Sequence, residues 1–176
     1  MKPVLVIAGP TAVGKTRVAL DLAEKMDAEI ISADSRQVYK YLDIGTAKPS
    51  SSERQKVKHH LLDFLEPDAS YSAARFTADA RAVMDRLDEQ GKRYIICGGS
   101  GLYLKALIEG LSQIPPADGN IRRELDLLLA AKGKGALYEM LQELDPDSAK
   151  KIKPNDAVRM IRAIEVFRLS GIKMSQ

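Results

Sequence analysis

Residues Gly9-Pro10-Thr11-Ala12-Val13-Gly14-Lys15-Thr16 spell a complete G-x-x-x-x-G-K-[ST] phosphate-binding loop. The apolar run Val4-Leu5-Val6-Ile7-Ala8 before it reads as a buried strand. After it, residues 17–26 read as a helix, with Val18, Leu22 and Met26 on one stripe and Ala19 and Ala23 beside it. Strand, loop and helix in that order are the context the motif requires. Gly9 and Gly14 let the backbone curl so that N–H groups point inward, and the helix N-terminus adds partial positive charge. Lys15 supplies a mobile cation, and the Thr16 hydroxyl is suited to Mg2+. The alternative is a glycine turn that binds nothing, and the intact context weighs against it.

Working outward, Glu29-Ile30-Ile31-Ser32-Ala33 reads as a second buried strand that delivers Asp34, Ser35, Arg36 and Gln37 to the strand end. In open α/β sheets ligands sit at that edge, which places Asp34 near the loop. A carboxylate there can hold Mg2+ through water, act as a general base, or cap the next turn. Residues 42–52, with Gly45, Pro49 and three serines, read as a loop carrying Lys48. His59 and His60 are adjacent, so they point in different directions, and no Cys or third His completes a metal set. Structural or phosphate-contacting roles fit them better.

Residues 71–90 predict an amphipathic helix with Phe76, Ala80, Val83, Met84 and Leu87 inward, closed by Gly91. Residues 94–97 give a third buried strand, and the β-α-β-α-β alternation predicts a parallel sheet. That strand runs into Gly98-Gly99-Ser100-Gly101 without the aspartate many ATPases place there, which weakens a nucleotide-hydrolysis reading. Past Leu111, Pro115-Pro116 marks a linker, and residues 121–131, 136–144 and 155–169 predict helices with no further strand. In the last of these, Met160, Ile164 and Phe167 form the inward stripe. Arg159 and Arg162 share another face at i and i+3, which on spacing alone reads as a surface pair bridged to Glu165.

A chain of 176 residues with 45% hydrophobic and 29% charged residues is long enough for one substantial core, or one domain plus a small appendage. No apolar run reaches membrane-span length, so no membrane association is expected. Met1-Lys2-Pro3 leaves no room for a signal peptide, and the single Cys97 fits a reducing cytoplasm. The net charge of +3 is small, but residues 150–176 carry seven basic residues against two acidic ones. Such a region suits a phosphate-backbone partner, although most such runs are solvated helix faces.

Several blocks together resemble the bacterial tRNA dimethylallyltransferase family. They are 9–16, Ile-Ser-Ala-Asp-Ser-Arg-Gln-Val-Tyr at 31–39, Asp-Ile-Gly-Thr-Ala-Lys-Pro at 43–49, His-His-Leu at 59–61, Tyr-Ser-Ala-Ala at 71–74, Gly-Gly-Ser-Gly-Leu-Tyr at 98–103 and Arg-Ala-Ile-Glu-Val at 162–166. The resemblance implies an α/β fold: a P-loop NTPase-like three-layer core with a parallel sheet over 1–114, and a helical tRNA-clasping insertion over 115–170. Residues 171–176 would begin a return to the core, because family members continue past this point; the chain is then a fragment or a shortened product.

The implied reaction moves a dimethylallyl group from dimethylallyl diphosphate to the N6 amine of the adenosine 3′ to the anticodon. By the same resemblance, Gly9, Pro10, Thr11, Ala12, Val13, Gly14, Lys15 and Thr16 hold the diphosphate, Thr16 serves Mg2+, and Lys15, Thr16 and Asp34 are catalytic, Asp34 as the base. Asp34, Ser35, Arg36, Gln37, Ser100, Arg122, Val158, Arg159, Met160, Ile161 and Arg162 are the implied contacts to a tRNA anticodon stem-loop. Ser100 stands where the family commonly has Thr and keeps the hydroxyl, whereas Val158 replaces a common Gln and loses an amide. A cytoplasmic monomer is expected. A P-loop kinase using ATP, or a fragment that binds diphosphate or tRNA without turnover, are the competing readings.

Overall fold

The computed structural model describes residues 3–110 and 115–176, and the chain divides into two compact units, Met1–Leu111 and Ser112–Gln176. The first unit holds four parallel strands, β1 (Leu5–Ala8), β2 (Ala28–Ser32), β3 (His59–His60) and β4 (Arg93–Gly98), in the order β1-β4-β2-β3. Around them lie α1 (Lys15–Met26), α2 (Ser51–Lys56), α3 (Ala73–Glu89) and α4 (Gly101–Glu109).

The period-2 alternation of strands sorts the core into two faces. Ile30 pairs with Ile95 and Ile31 with Ile96 in register. Ile30 and Ile95 pack with Ala19, Leu20 and Ala23 of α1, while Ile31 and Ile96 pack with Phe76 and Ala80 of α3 and Leu104 of α4. Helices therefore cover both faces, which is the three-layer α/β arrangement expected.

Two expectations about this unit change. The strand leading into the loop is not buried: β1 pairs only with β4 among the described residues, and Leu5 is 40% exposed at the sheet edge. In α1 the buried stripe is Ala19, Leu20 and Ala23, and Val18 is 49% exposed. The start of α1 must leave its open side toward the loop, so the covered stripe begins one residue later.

Two short elements went unread. Ser50 accepts from the Glu53 N–H while Glu53 accepts from the Ser50 N–H, a capping box that starts α2 inside what reads as a loop. His60, in the two-residue β3, is buried against the Glu29 carboxylate, which also takes Lys92 at 2.6 Å. Burial alone would raise the Glu29 pKa, but the bonds from Lys92 and His60 outweigh it and hold it below the usual range.

Gly98 closes the sheet on the loop side. A β-carbon there would lie 2.1 Å from the Ala33 carbonyl oxygen. Only glycine lets the end of β4 come so close to the chain leaving β2. Ala33 donates to the Cys97 carbonyl at 2.8 Å and accepts from the Ser100 N–H at 3.2 Å, fixing that approach.

The second unit is helical among its described residues: α5 (Gly119–Leu144), α6 (Pro146–Lys151) and α7 (Ala157–Ser170). Gly133 breaks α5 with φ 75°, so the two helices expected there are contiguous across a kink. Leu125, Leu137, Leu141, Met160 and Ile164 form its core. The fully buried Glu165 accepts from Arg122 at 2.8 and 3.1 Å, from Arg162 at 2.6 Å and from the Asp118 N–H at 2.8 Å. Burial would raise the Glu165 pKa, but the two guanidinium groups hold it down. Asp145 caps α6 through Ser148 and receives both the N–H and hydroxyl of Ser175. Against the upward push of burial, those bonds lower its pKa from 3.8 to about 2.

Gly98→Ala is expected to destabilise the first unit by about 1–3 kcal/mol or more, read as a lower urea midpoint, because backbone must move to admit the methyl. The Asp145 pKa is lower in the folded state, so its stabilisation is complete above the unfolded value near 3.8 and is lost as pH falls toward 2. Asp145→Asn should therefore weaken the fall in melting temperature between pH 5 and pH 2.5, leaving the contributions in the same direction from carboxylates such as Glu29, Asp63 and Glu165.

Candidate active site

The turn after β1 carries the geometry its glycines predict. Gly9 has φ 157°, Ala12 is left-handed at φ 69°, and Gly14 at φ 88° forms the N-cap of α1. No side chain caps α1 and no acid lies in its first turn. The first N–H groups of a helix need partners from outside it, so this terminus is built to receive an anion. The Lys15 ammonium donates to the Pro10 carbonyl at 2.6 Å, folded back over the loop.

A cavity of about 420 Å3 opens on this turn. One wall is the loop and the start of α1, with Thr11, Lys15, Thr16 and Arg17. The floor is the end of β4 with Cys97 and Gly98, and Asp34 and Gln37 enter from the end of β2. The far wall is the segment from Thr46 to Pro49 with Glu53.

Asp34 is split in function. Its Oδ1 accepts from the N–H groups of Arg36 at 2.9 Å and Gln37 at 3.3 Å, so the capping option raised from sequence is realised by that atom. Its Oδ2 makes no hydrogen bond within the described residues and lies toward Gly99. One oxygen builds the turn and the other is unengaged within the described residues.

The neighbours of Asp34 do other work. Ser100 accepts the Ser35 N–H at 2.7 Å, tying the turn after β2 to the turn after β4. Gln37 donates both amide hydrogens, to the Thr46 carbonyl at 2.9 Å and the Ala47 carbonyl at 3.0 Å. Arg36 is exposed. Burial pushes the Cys97 thiol up, with Lys15 pulling against it and Asp34 adding to it. No group of three or more His, Cys, Asp or Glu side chains that could hold a metal ion is found among the described residues.

Several of these connections are not legible in the sequence. Lys48 has a buried ammonium rather than a solvated one, and Asp63, which holds it at 2.8 Å, carries no motif. The signal available was the pattern of a lone loop lysine with acids on both sides, Asp43 and Asp63.

In the second unit, Val158 is 80% exposed and the Arg159 side chain 74% exposed. Arg159 pairs with Asp156 at 3.3 Å, not with Glu165. Met160, expected in the same contact stretch, is fully buried in the helical core, so its side chain is withdrawn from any surface role. Ile161 is partly buried against that core. Arg122 and Arg162 are anchored on Glu165, and Arg162 also donates to the Pro115 carbonyl at 2.7 Å.

The model of the IPP transferase family matches residues 37–176. This chain belongs to the IPP transferase family. It is 50% identical over 174 residues to a tRNA dimethylallyltransferase of Halorhodospira halophila, covering 99% of this chain and 56% of that one. Against its counterpart in Thermotoga petrophila it is 45% identical, covering 98% of this chain and 56% of the relative.

Among solved structures, a full-length tRNA isopentenylpyrophosphate transferase of Bacillus halodurans aligns with TM-score 0.62 at 40% identity, over 97% of this chain and 57% of that one. A eukaryotic dimethylallyltransferase described as acting on tRNA aligns with TM-score 0.82 at 32% identity, over 98% of this chain and 43% of that one. The chain therefore spans about half the length of the curated relatives it matches. No helix among the described residues is long and apolar enough to cross a membrane.

Lys15→Met should weaken binding of inorganic diphosphate by about tenfold or more, since a charge-assisted contact is lost. Asp34→Asn, whose amide oxygen still accepts from Arg36 and Gln37, should leave that affinity within about twofold. Isothermal titration with Mg2+ present checks both.

Proposed function

We propose that this chain carries the diphosphate site and catalytic base of a tRNA dimethylallyltransferase. One observation supports the reading above the others: the free Asp34 Oδ2 enters the same cavity as the uncapped N-terminus of α1. An anion site beside an unengaged carboxylate suits a reaction in which a diphosphate leaves and an amine loses a proton.

In the transfer, the N6 amine of the target adenosine attacks the allylic C1 of dimethylallyl diphosphate. A nitrogen–carbon bond forms as the carbon–oxygen bond breaks, and its electron pair leaves on the diphosphate. The amine proton passes to Asp34 Oδ2. The loop N–H groups and Lys15 hold the diphosphate as its charge grows.

Mg2+ fits this site in the way it usually accompanies phosphates, through few protein ligands and several waters. The Thr16 hydroxyl lines the cavity without a protein hydrogen bond among the described residues and would hold it. When bound, the ion supplies positive charge to the diphosphate.

The tRNA contacts assigned by resemblance are part of this proposal, with a division of labour. Ser35 and Arg36 are placed to meet the nucleotide, while Gln37 and Ser100 act through the turn they hold. In the helical part, proposed as the clasp over 115–170, Val158 and Arg159 offer the exposed surface. Arg122 and Arg162 reach a phosphate only with the edges that Glu165 leaves. Extrusion of an unstacked loop base into a pocket is how enzymes reach such an amine. The reading carries with it a cytoplasmic location and a monomeric chain. An ATP-dependent kinase is not favoured, because the family blocks at 31–39 and 98–103 align with prenyltransferases along nearly the whole chain.

Single-turnover transfer of a labelled dimethylallyl group to an anticodon stem-loop RNA is the test. Asp34→Asn should cut the rate by about a hundredfold to ten-thousandfold while diphosphate affinity holds. An unchanged rate would remove Asp34 as the base. Saturable binding of dimethylallyl diphosphate without transfer by the unsubstituted chain would instead identify it as a binding fragment.

A further inference from the structure

The far wall of the cavity is held by a buried cation. The Lys48 side chain is 1% exposed, and its ammonium donates to the Tyr39 carbonyl at 2.8 Å, Asp43 at 2.6 Å and Asp63 at 2.8 Å. Those three acceptors use all three of its protons. Asp63 is shared with Arg54 at 2.8 Å, and Arg54 also donates to the Pro49 carbonyl at 2.8 Å. The two cations hold the Asp63 pKa below its ordinary value.

The backbone around this knot is strained. Of the six non-glycine residues with positive φ among the described residues, four lie here: Tyr41 at 64°, Ala47 at 51°, Leu61 at 56° and Asp63 at 58°. Side chains disfavour that region, so it persists where surroundings impose it, and such positions cluster at functional sites. The strained stretch is the one whose Thr46 and Ala47 carbonyls take the Gln37 amide and whose Pro49 lines, together with Cys97, a small cavity.

We infer that Lys48 is a positioning residue: through Asp43, Asp63 and Tyr39 it locks the 46–49 wall that shapes the diphosphate cavity, and it is not itself a phosphate ligand. A lysine bordering a phosphate pocket invites the opposite assignment. Here a phosphate would have to displace two carboxylates and a carbonyl from an ammonium that is already fully coordinated. The inference rests on the proposed diphosphate site, and its consequence is geometric: releasing Lys48 frees the wall, and Asp63, which does not line the cavity, does the same when neutralised.

Cys97 is the single cysteine, half-buried on the floor of the main cavity and in the small cavity that Pro49 also lines, so the rate of its carboxamidomethylation by iodoacetamide follows loosening of the 46–49 wall without any turnover. The proteins to compare are the unsubstituted chain, Lys48→Met, Asp63→Asn, the double variant, and Lys15→Met, at a temperature where circular dichroism shows each folded. Lys48→Met and Asp63→Asn should each speed labelling by about tenfold, as expected when a charge-assisted bond no longer opposes local opening. The double variant should label no faster than the faster single, because both break one unit. Affinity for inorganic diphosphate should fall by a common factor of about three in the two singles, as a loosened wall raises the share of open cavity. Lys15→Met should lose diphosphate without faster labelling.

Unchanged labelling in both singles overturns the inference. So does labelling raised by Lys48→Met alone. A Lys48→Met loss of diphosphate equal to that of Lys15→Met, with Asp63→Asn unaltered, also overturns it and makes Lys48 a ligand. Should Lys48→Met not fold, the near-isosteric Asp63→Asn decides by the same labelling. Failure of the unsubstituted chain to bind diphosphate would refute the proposed site, while the labelling comparison would still decide the wall.

Discussion

The approach of β4 to the chain leaving β2 is the constraint on which the rest depends. Parallel strands usually diverge into separate loops at their C-terminal ends. Here Gly98 has no β-carbon, and the Ala33 carbonyl occupies the space one would need. The N–H of Ala33 and the N–H of Ser100 then pin the two strand ends together, and the Ser100 hydroxyl extends the pinning to Ser35. Asp34 sits between those anchored residues. Its position beside the phosphate loop is a consequence of backbone packing, made before any side chain chooses a rotamer. That is why a carboxylate can be held with one oxygen bonded into a turn and the other unengaged.

A large part of the fold was legible because it rests on local signals. The phosphate loop fixes the strand before it and the helix after it, and short apolar centres mark β2 at Ile30-Ile31 and β4 at Tyr94-Ile95-Ile96-Cys97. What was not legible depended on neighbours far along the chain. The run at residues 4–8 is as apolar as β2, yet exposure is decided by how many strands flank it, and β1 has one among the described residues. A two-residue strand such as β3 has no periodicity to read. The start of α2 did have a signal, Ser50 with Glu53 three residues later, but Gly45, Pro49 and the serines outweighed it. The helix α6 likewise had Asp145 as cap and Pro146 at its first position, and it is too short to show an apolar stripe.

The same division runs through the candidate site. Asp34 could be placed from sequence because strand ends define the ligand edge of an α/β sheet. Gln37 could be placed there with it, but the roles of Gln37 and Lys48 could not be read, because they lie in partners such as Ala47 and Asp63 that only the fold brings near. Both are polar residues beside a phosphate site, and charge type alone suggests contact with the ligand. Satisfied donors say otherwise. An amide with both hydrogens on carbonyls and an ammonium with three oxygens have little left to offer a substrate, so their contribution is the shape of the wall.

The basic excess of the helical unit is also redistributed once burial is counted. Seven basic residues lie in 150–176, but Arg162 and, from outside that range, Arg122 neutralise the buried Glu165. Removing either would leave a buried carboxylate short of a partner, which costs far more than a surface pair returns. By contrast, Lys150 with Asp147 and Arg159 with Asp156 are exposed pairs held weakly in high dielectric. An RNA phosphate can compete with a solvated carboxylate for those cations at little cost. The charges best suited to a polyanion are therefore the ones whose present partners matter least to the fold, and Arg159, beside the exposed Val158, is the clearest of them. A residue with a strong, buried partner can sit in a basic stretch and still owe its place to the core.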